Sequence, residues 1–110
     1  MNHPSIDAVV RRLDLYTGTW LISWITGRHR RTVRRWMHGE QQPQIPTEIL
    51  LRDVLQVLDY VAEREGLHTA RAWFVGMNEL LDDFSPAHAL HDGVVDGRQI
   101  MKVARADWSS

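Results

Sequence analysis

The sequence predicts an all-α fold, with an N-terminal helix-turn-helix followed by a small helical domain, and three features lead to that prediction. Alternation of apolar and polar residues, which marks a half-buried strand, is weak along the whole chain. Apolar residues recur instead at spacings of three and four, most regularly between Glu48 and about Glu65. Glycines and prolines interrupt the segments with this spacing, so we expect short helices around one long helix.

Composition limits the classes of protein to which the chain can belong. Its 110 residues suffice for one compact domain, and 44% hydrophobic with 25% charged residues is typical of a folded protein. The absence of cysteine excludes disulfides, thiolate metal sites and cysteine nucleophiles. No stretch approaches the roughly 20 apolar residues of a membrane span or forms a signal peptide, so we expect a cytoplasmic protein with no membrane partner.

The net charge of −1 conceals an asymmetry between the two halves of the chain. Residues 1–43 contain seven arginines and three acids, whereas residues 44–110 contain six basic and eleven acidic side chains. A basic segment suits a polyanion, and an acidic one suits self-association or another protein. We therefore predict a DNA-binding-like region over residues 1–43 and a helical dimerisation and protein-binding domain over residues 44–110.

Capping residues delimit the first two predicted helices. Ser5 is placed to cap a helix that runs towards Tyr16, and Gly18 is placed to end it. A second helix is expected over about residues 19–26, followed by a turn at Gly27. This is the beginning of a helix-turn-helix.

The third predicted helix, which Gly39 stops, is the most basic part of the chain. Five arginines lie within the eight residues 28–35, and no acid occurs within residues 15–39. Val33 and Trp36 form the face that packs inward, so the arginines project from the other side, where they can contact phosphates or guanine edges. The residues predicted to bind DNA are Arg30, Arg31, Thr32, Arg34, Arg35 and His38. The alternative is a solvated face that only keeps the protein soluble.

The turn departs from the common helix-turn-helix pattern. That pattern has a small residue four positions before the turn glycine and apolar residues on both sides of it, where this chain has Ser23, Thr26 and Arg28. We expect the last two to weaken operator binding. The second helix also has more apolar surface than one contact with the third helix needs, so we expect it to pack on a further element. The residues concerned are Trp20, Leu21, Trp24 and Ile25.

The second segment begins with a linker and the longest predicted helix. Residues 40–46 contain two prolines, the second of them Pro46, and are predicted to be non-helical. Thr47 is placed to cap the long helix over residues 48–65, and Gly66 is placed to end it.

Four shorter pieces are predicted after the long helix. Thr69 is placed to cap a helix that carries Trp73. Two turn-capped pieces follow, one beginning at Asn78 and the other at Ser85, and a last helix covers about residues 97–106. Large apolar residues are dense here. Most are expected to close the core, and the alternative is a patch exposed for a partner. They are Trp73, Phe74, Met77, Leu80, Leu81, Phe84 and Leu90.

Six histidines raise the question of a metal site. His88 and His91 lie three residues apart beside Asp92, but zinc needs three or four ligands and no second pair matches them. The sequence has neither a Ser/His/Asp order nor a glycine-rich phosphate loop. We therefore predict no metal, no cofactor and no catalysis, and we rank a small metal-dependent enzyme that uses His88 and His91 last.

A series of short motifs follows one another along the chain. They are Trp36-x-x-Gly39-x-x-x-Pro43, a long helix, Trp73-x-x-x-x-Asn78-x-Leu80-Leu81, Pro86-x-x-x-Leu90, Gly93 and a final short helix. In this order, from about Leu13 to Ala106, the chain resembles the Xre/ParS/MbcA-type antitoxins of bacterial toxin–antitoxin pairs. In that family the second half binds a toxin of RES-type fold that consumes NAD, and many members repress their own operon.

The resemblance implies two partners, a cognate RES-domain toxin and operator DNA, and a homodimer or a larger complex with the toxin. It places the inhibitory contacts on the last helix and tail, which in the family reach into the NAD cleft. In that cleft, the Trp108 side chain would insert into the apolar part, and the carboxylates of Asp107 and of the C-terminus would bind the groups that otherwise hold phosphates. Removal of residues 106–110 is expected to leave the fold intact. The residues assigned to toxin binding are Trp73, Asn78, Arg98, Met101, Lys102, Arg105 and Trp108. The alternative is a stand-alone dimeric helix-turn-helix transcriptional regulator without a toxin partner.

Overall fold

A computed structural model describes residues 3–108, and every regular element in that range is helical. The prediction of an all-α fold is therefore confirmed. The elements in chain order are α1 (Ile6–Thr17), α2 (Thr19–Thr26), α3 (Arg30–Met37), α4 (Ile45–Glu65), α5 (Leu67–Val75), a 3-10 turn (Glu79–Leu81), α6 (Pro86–His91) and α7 (Gly97–Asp107). Within residues 3–108, no helix is both long and apolar enough to span a bilayer.

Helix α4 lies at the centre of the molecule. Its apolar positions recur at helical spacing, and α1, α5 and α7 pack around them. Val10 and Leu13 of α1, Phe74 of α5 and Ile100 of α7 are all fully buried in the same hydrophobic cluster. One core therefore includes side chains from both predicted segments of the chain.

The start of α4 differs from the prediction. The helix begins at Ile45, three residues before the expected start, with Gln44 at the N-cap position and Thr47 inside the first turn. Pro46 is compatible with this position because the first N–H groups of a helix have no intrahelical partner, so the missing N–H of proline costs nothing there.

The junction between α4 and α5 is also tighter than predicted. Gly66 ends α4 and serves directly as the N-cap position of α5, which begins at Leu67. Thr69, the expected cap, lies inside that helix. Gly66 has a φ of 89°, a conformation that glycine adopts without steric cost, so α5 begins with no further loop residue after α4.

Two of the predicted caps form and two further caps were missed, one of them His29, whose Nδ1 accepts from the Arg31 N–H at 3.0 Å at the start of α3. The Ser85 hydroxyl accepts a hydrogen bond from the backbone N–H of His88 at 3.0 Å, and the Asn78 side chain accepts one from that of Leu80 at 2.9 Å. Asp96 and Gln99 form a reciprocal capping box at the start of α7. Their Asp-x-x-Gln spacing is visible in the sequence, and it fixes where the last helix begins.

Candidate functional site

Helix α3 separates its apolar and basic residues onto opposite sides, as the spacing predicted. Val33 and Trp36 are 0% and 1% exposed, and they pack into the core beside α1 and α2. Arg30, Arg31, Arg34, Arg35 and His38 are all exposed, and Thr32 is half-buried. Five of the six predicted DNA-binding residues thus lie on α3 and His38 is its C-cap, with the four arginines facing solvent.

The charges of this arginine face are not neutralised within the described part of the chain. The face is formed by Arg30, Arg31, Arg34 and Arg35, and none of them has a carboxylate within 4.0 Å among residues 3–108. The same is true of Arg28, which precedes α3. The arginines of α1 differ, because Arg11 pairs with Asp7 at 2.9 Å and Arg12 with Asp59 at 2.8 Å. Arg11 also donates to the carbonyl of Met37 at 2.7 Å, which ties the end of α3 to α1.

Polar side chains at the turn between α2 and α3 form its hydrogen bonds. The Ser23 hydroxyl donates to the carbonyl of Arg28, and the Arg28 N–H lies 3.2 Å from the carbonyl of Ser23. The Thr26 hydroxyl donates to the carbonyl of Ile22 at 2.8 Å. The unusual residues at these positions therefore hold the turn closed, and Gly27 supplies its left-handed conformation with a φ of 70°.

The additional apolar surface of α2 packs against α6, as expected for a helix with more than one contact. The Trp24 indole stacks on the His91 ring at a centroid distance of 4.2 Å, and Trp20 stacks on Trp24 at 6.0 Å. The His91 Nδ1 lies 2.7 Å from the carbonyl oxygen of Trp24. The aromatic stack joins the two halves of the sequence.

The two histidines considered as metal ligands have other contacts. His91 stacks on Trp24, while His88 lies 3.2 Å from Asp92 and edge-on to Phe84. Across residues 3–108, no group of three or more His, Asp or Glu side chains is arranged to hold a metal ion.

A cluster of hydrogen bonds joins the end of α7 to α5 and the turn after it. One Asp107 oxygen, Oδ2, accepts from the Trp73 Nε1 at 2.8 Å and from the Asn78 Nδ2 at 2.9 Å. The Trp108 ring packs edge-on against Trp73 at 5.7 Å, and the Tyr60 hydroxyl lies 3.4 Å from the Trp108 carbonyl oxygen. We call these five residues the C-terminal cluster.

The C-terminal cluster changes the interpretation of the tail. One oxygen of the Asp107 carboxylate is engaged within the chain although the residue is exposed, and Trp108 is half-buried against the core. Removal of residues 106–110 would therefore break the hydrogen bonds of Asp107 and the ring contact of Trp108, while the expectation that the fold survives this removal stays a prediction. Ser109, Ser110 and the terminal carboxylate lie outside the described residues.

The basic residues of α7 share one groove with α4. Arg98, Met101, Lys102 and Arg105 line a groove of about 220 Å³ together with Asp53 and Gln56. Burial, reinforced by the nearby Asp96, raises the pKa of the Asp53 carboxyl, and Arg98 opposes this. A side chain at Gly97 would collide with Asp53, so the glycine permits the close approach of α7 to α4. The four α7 residues assigned to toxin binding therefore lie together in this groove, whereas Trp73 and Asn78 belong to the C-terminal cluster.

The apolar residues between α5 and Gly93 divide into buried and exposed groups. Phe74 and Leu90 are buried, and Trp73 and Leu81 are half-buried. The other three, which sequence reasoning assigned mainly to the core, are exposed, because the loop between α5 and α6 carries them outward. They are Met77 at 84%, Leu80 at 57% and Phe84 at 45% exposure.

Sequence reasoning missed Asp107 and Tyr60 as partners of Trp73 and Trp108. The spacing of the residues gave no signal for these contacts, because they join positions 34 and 48 residues apart.

Comparison with known proteins gives no family for the chain: no protein-family model, no curated protein and no solved structure matches it.

Proposed function

We propose that this protein is a non-enzymatic antitoxin that binds DNA through α3 and a RES-type, NAD-consuming toxin through its C-terminal half. The DNA-binding part rests on one structural observation, the arginine face of α3. The toxin-binding part rests on the order of the motifs from Trp36 to Gly93, and the surface around α7 supports it.

The arginine face supports DNA binding because its charge has no counterpart within the described chain. Arg30, Arg31, Arg34 and Arg35 are exposed on a helix whose inner side is anchored by Val33 and Trp36, so they form one rigid basic surface. Neutralisation of phosphates by such a surface releases counterions and provides affinity for any DNA sequence. Contacts with guanine edges in the major groove would add sequence preference.

Replacement of an α3 arginine tests this part of the proposal. Arg31→Ala should weaken binding to all duplexes and lower the salt slope by about 1 if the residue contacts one phosphate. Gel shifts on the promoter region at two salt concentrations measure both quantities. Arg71→Ala, which removes an exposed arginine from α5, is the matched control and should leave binding unchanged. Absence of binding at low salt would show that the arginine face does not bind DNA.

The surface around α7 supports protein binding. Lys102 and Arg105 are exposed beside the half-buried Met101, a combination that suits an acidic rim around an apolar contact. The exposed Met77 and Leu80 next to Asn78 add apolar surface of the kind that partner proteins cover.

Charge reversal on α7 tests toxin binding without disturbing the C-terminal cluster. The double variant Lys102→Glu with Arg105→Glu should lose co-purification with the toxin encoded beside it and fail to protect cells from NAD loss. Arg71→Glu is the matched control and should protect fully. Equal capture and equal NAD levels in both variants would exclude this surface of α7 as the toxin contact.

A stand-alone dimeric transcriptional regulator is the second candidate. The arginine face supports a regulator as much as it supports an antitoxin, because DNA binding requires no toxin. A neighbouring reading frame whose product co-purifies with this chain favours the antitoxin, and operator binding with no such partner favours the regulator.

A further inference from the structure

We propose that the pocket between the α2–α3 turn and the linker before α4 binds a phosphate group. The pocket has a volume of about 220 Å³ and is lined by one arginine, three glutamines, a threonine, a tryptophan and a proline. No acidic residue lines it. Its wall consists almost entirely of hydrogen-bond donors, several of which can also accept, and this composition suits a compact anion.

The charge in the pocket comes from Arg28. Its side chain is exposed, and no carboxylate among residues 3–108 lies within 4.0 Å of it. A guanidinium can donate two parallel N–H groups to two oxygens of a phosphate, which makes it a better partner for phosphate than for a halide. Gln41, Gln42 and Gln44 add carboxamide N–H groups around the same space.

The first turn of α4 adds backbone donors. Gln44 occupies the N-cap position of this 21-residue helix, but its side chain makes no capping hydrogen bond. Pro46 has no N–H and the Glu48 N–H donates to the Gln44 carbonyl at 2.9 Å, so the N–H groups of Ile45 and Thr47 are those that lack a side-chain acceptor. Thr47 of that turn lines the pocket, so the positive end of the helix dipole lies beside it.

Trp36 provides an independent indication of a missing acceptor. The residue is 1% exposed and forms part of the pocket wall, yet its indole Nε1 is buried with no hydrogen-bond partner within the described chain. A buried donor without an acceptor is unfavourable and is uncommon in folded proteins. Because Trp36 also lines the pocket, its indole N–H is a reporter of what the pocket holds.

The proposed site is distinct from the arginine face, although it lies at the edge of it. Arg28 precedes α3, and Trp36 is on its inner side, opposite the four exposed arginines. The phosphate can belong to a nucleic acid backbone or to a small phosphorylated ligand. Both sources present the same group to the pocket, so the inference does not depend on the proposed operator binding.

Titration with inorganic phosphate tests the site in the full-length protein. The signal is the indole N–H resonance of Trp36 in a ¹⁵N–¹H spectrum, followed against a chloride titration at equal ionic strength. We expect a saturable shift with phosphate and none with chloride. Arg28→Ala should weaken phosphate binding by about tenfold, as expected for the loss of one charge-assisted pair. Arg71→Ala, which removes an exposed arginine of α5 outside the pocket, should change it less than about twofold.

Two results would overturn the inference. One is a Trp36 resonance that does not respond to phosphate, or responds equally to chloride. The other is equal weakening by Arg28→Ala and Arg71→Ala, which would show general attraction to basic charge. Addition of a short DNA duplex to the phosphate-bound protein then identifies the source of the group. Displacement of phosphate by the duplex indicates a backbone phosphate, and retention of phosphate beside bound duplex indicates a small ligand.

Discussion

Single polar side chains connect positions that are far apart in the sequence. The Asp59 Oδ1 accepts from the Tyr16 hydroxyl at 2.7 Å and from the Arg12 Nη2 at 2.8 Å, which joins α1 to α4. Asp107 acts in the same way between α7 and the α5 region. In both cases one carboxylate oxygen serves two donors, so the loss of one acid affects two contacts.

The buried Tyr16 predicts that the stability of the protein falls at alkaline pH. Burial, together with the hydrogen bond to Asp59, raises the pKa of Tyr16 from 10.0 to about 12. The folded state therefore holds the phenol proton more tightly than the unfolded state. The contribution of this proton to the free energy of unfolding is complete below pH 10 and is lost as the pH rises through about 12.

Urea unfolding of wild type and Tyr16→Phe across this pH range measures the effect. The variant should lose less stability than wild type as the pH rises, because it has no phenol to ionise. An equal fall in both proteins would show that Tyr16 is not the cause of the alkaline loss.

At the scale of elements, α3 depends on its neighbours for its position. It has eight residues, too few for a stable helix in isolation. Trp36 and Val33 bury its inner side, and Arg11 holds its last turn through the Met37 carbonyl. The arginine face is presented in one orientation because these contacts fix the helix.

Truncation of Trp36 should release α3 from the core. Replacement of a fully buried aromatic residue by alanine costs about 3–5 kcal/mol, a large part of the stability of a domain of this size. Trp36→Ala should therefore lower the melting temperature strongly and abolish any DNA binding. Thermal unfolding monitored by circular dichroism measures this. Arg34→Ala, on the exposed side of the same helix, should change stability by less than about 0.5 kcal/mol. A Trp36→Ala protein that melts at the wild-type temperature would contradict the burial of this residue.

At the scale of the whole molecule, the two predicted segments share one hydrophobic core. Val9, Val10 and Leu13 of the first segment contribute to the same cluster as Leu51 and Leu58 of the second. The stack of Trp24 on His91 forms another contact between them. The boundary near residue 43 divides charge and sequence motifs, whereas the buried side chains are continuous across it.

The shared core predicts that residues 44–110 do not fold alone. Without α1 the apolar side of α4 would be exposed to water, and exposure of each buried aliphatic side chain costs about 1.5–3 kcal/mol. The fragment should show no cooperative thermal transition by circular dichroism, in contrast to the full chain. Addition of residues 1–43 as a separate peptide should restore part of the transition. A fragment that melts cooperatively by itself would establish two independent domains.

The sequence predicted several elements because local signals determine them. Glycines at positions 18, 27 and 39 mark the ends of the first three helices, and Ser85 followed by proline marks the start of α6. The starts of α4 and α5 were placed incorrectly because threonine was taken as the cap in both. Gln44 and Gly66 occupy the N-cap positions instead, and neither makes the side-chain hydrogen bond on which such predictions depend.

The sequence by itself determined the all-α fold, the two sides of α3 and the concentration of positive charge on one of them. These follow from spacing and charge, which act within one or two helical turns. Only the tertiary structure decided that Asp107 and Trp108 pack on Trp73, that Met77 is exposed, and that the α2–α3 turn meets the linker at a pocket. Such contacts join residues far apart in the chain, and the packing of whole helices around α4 fixes them.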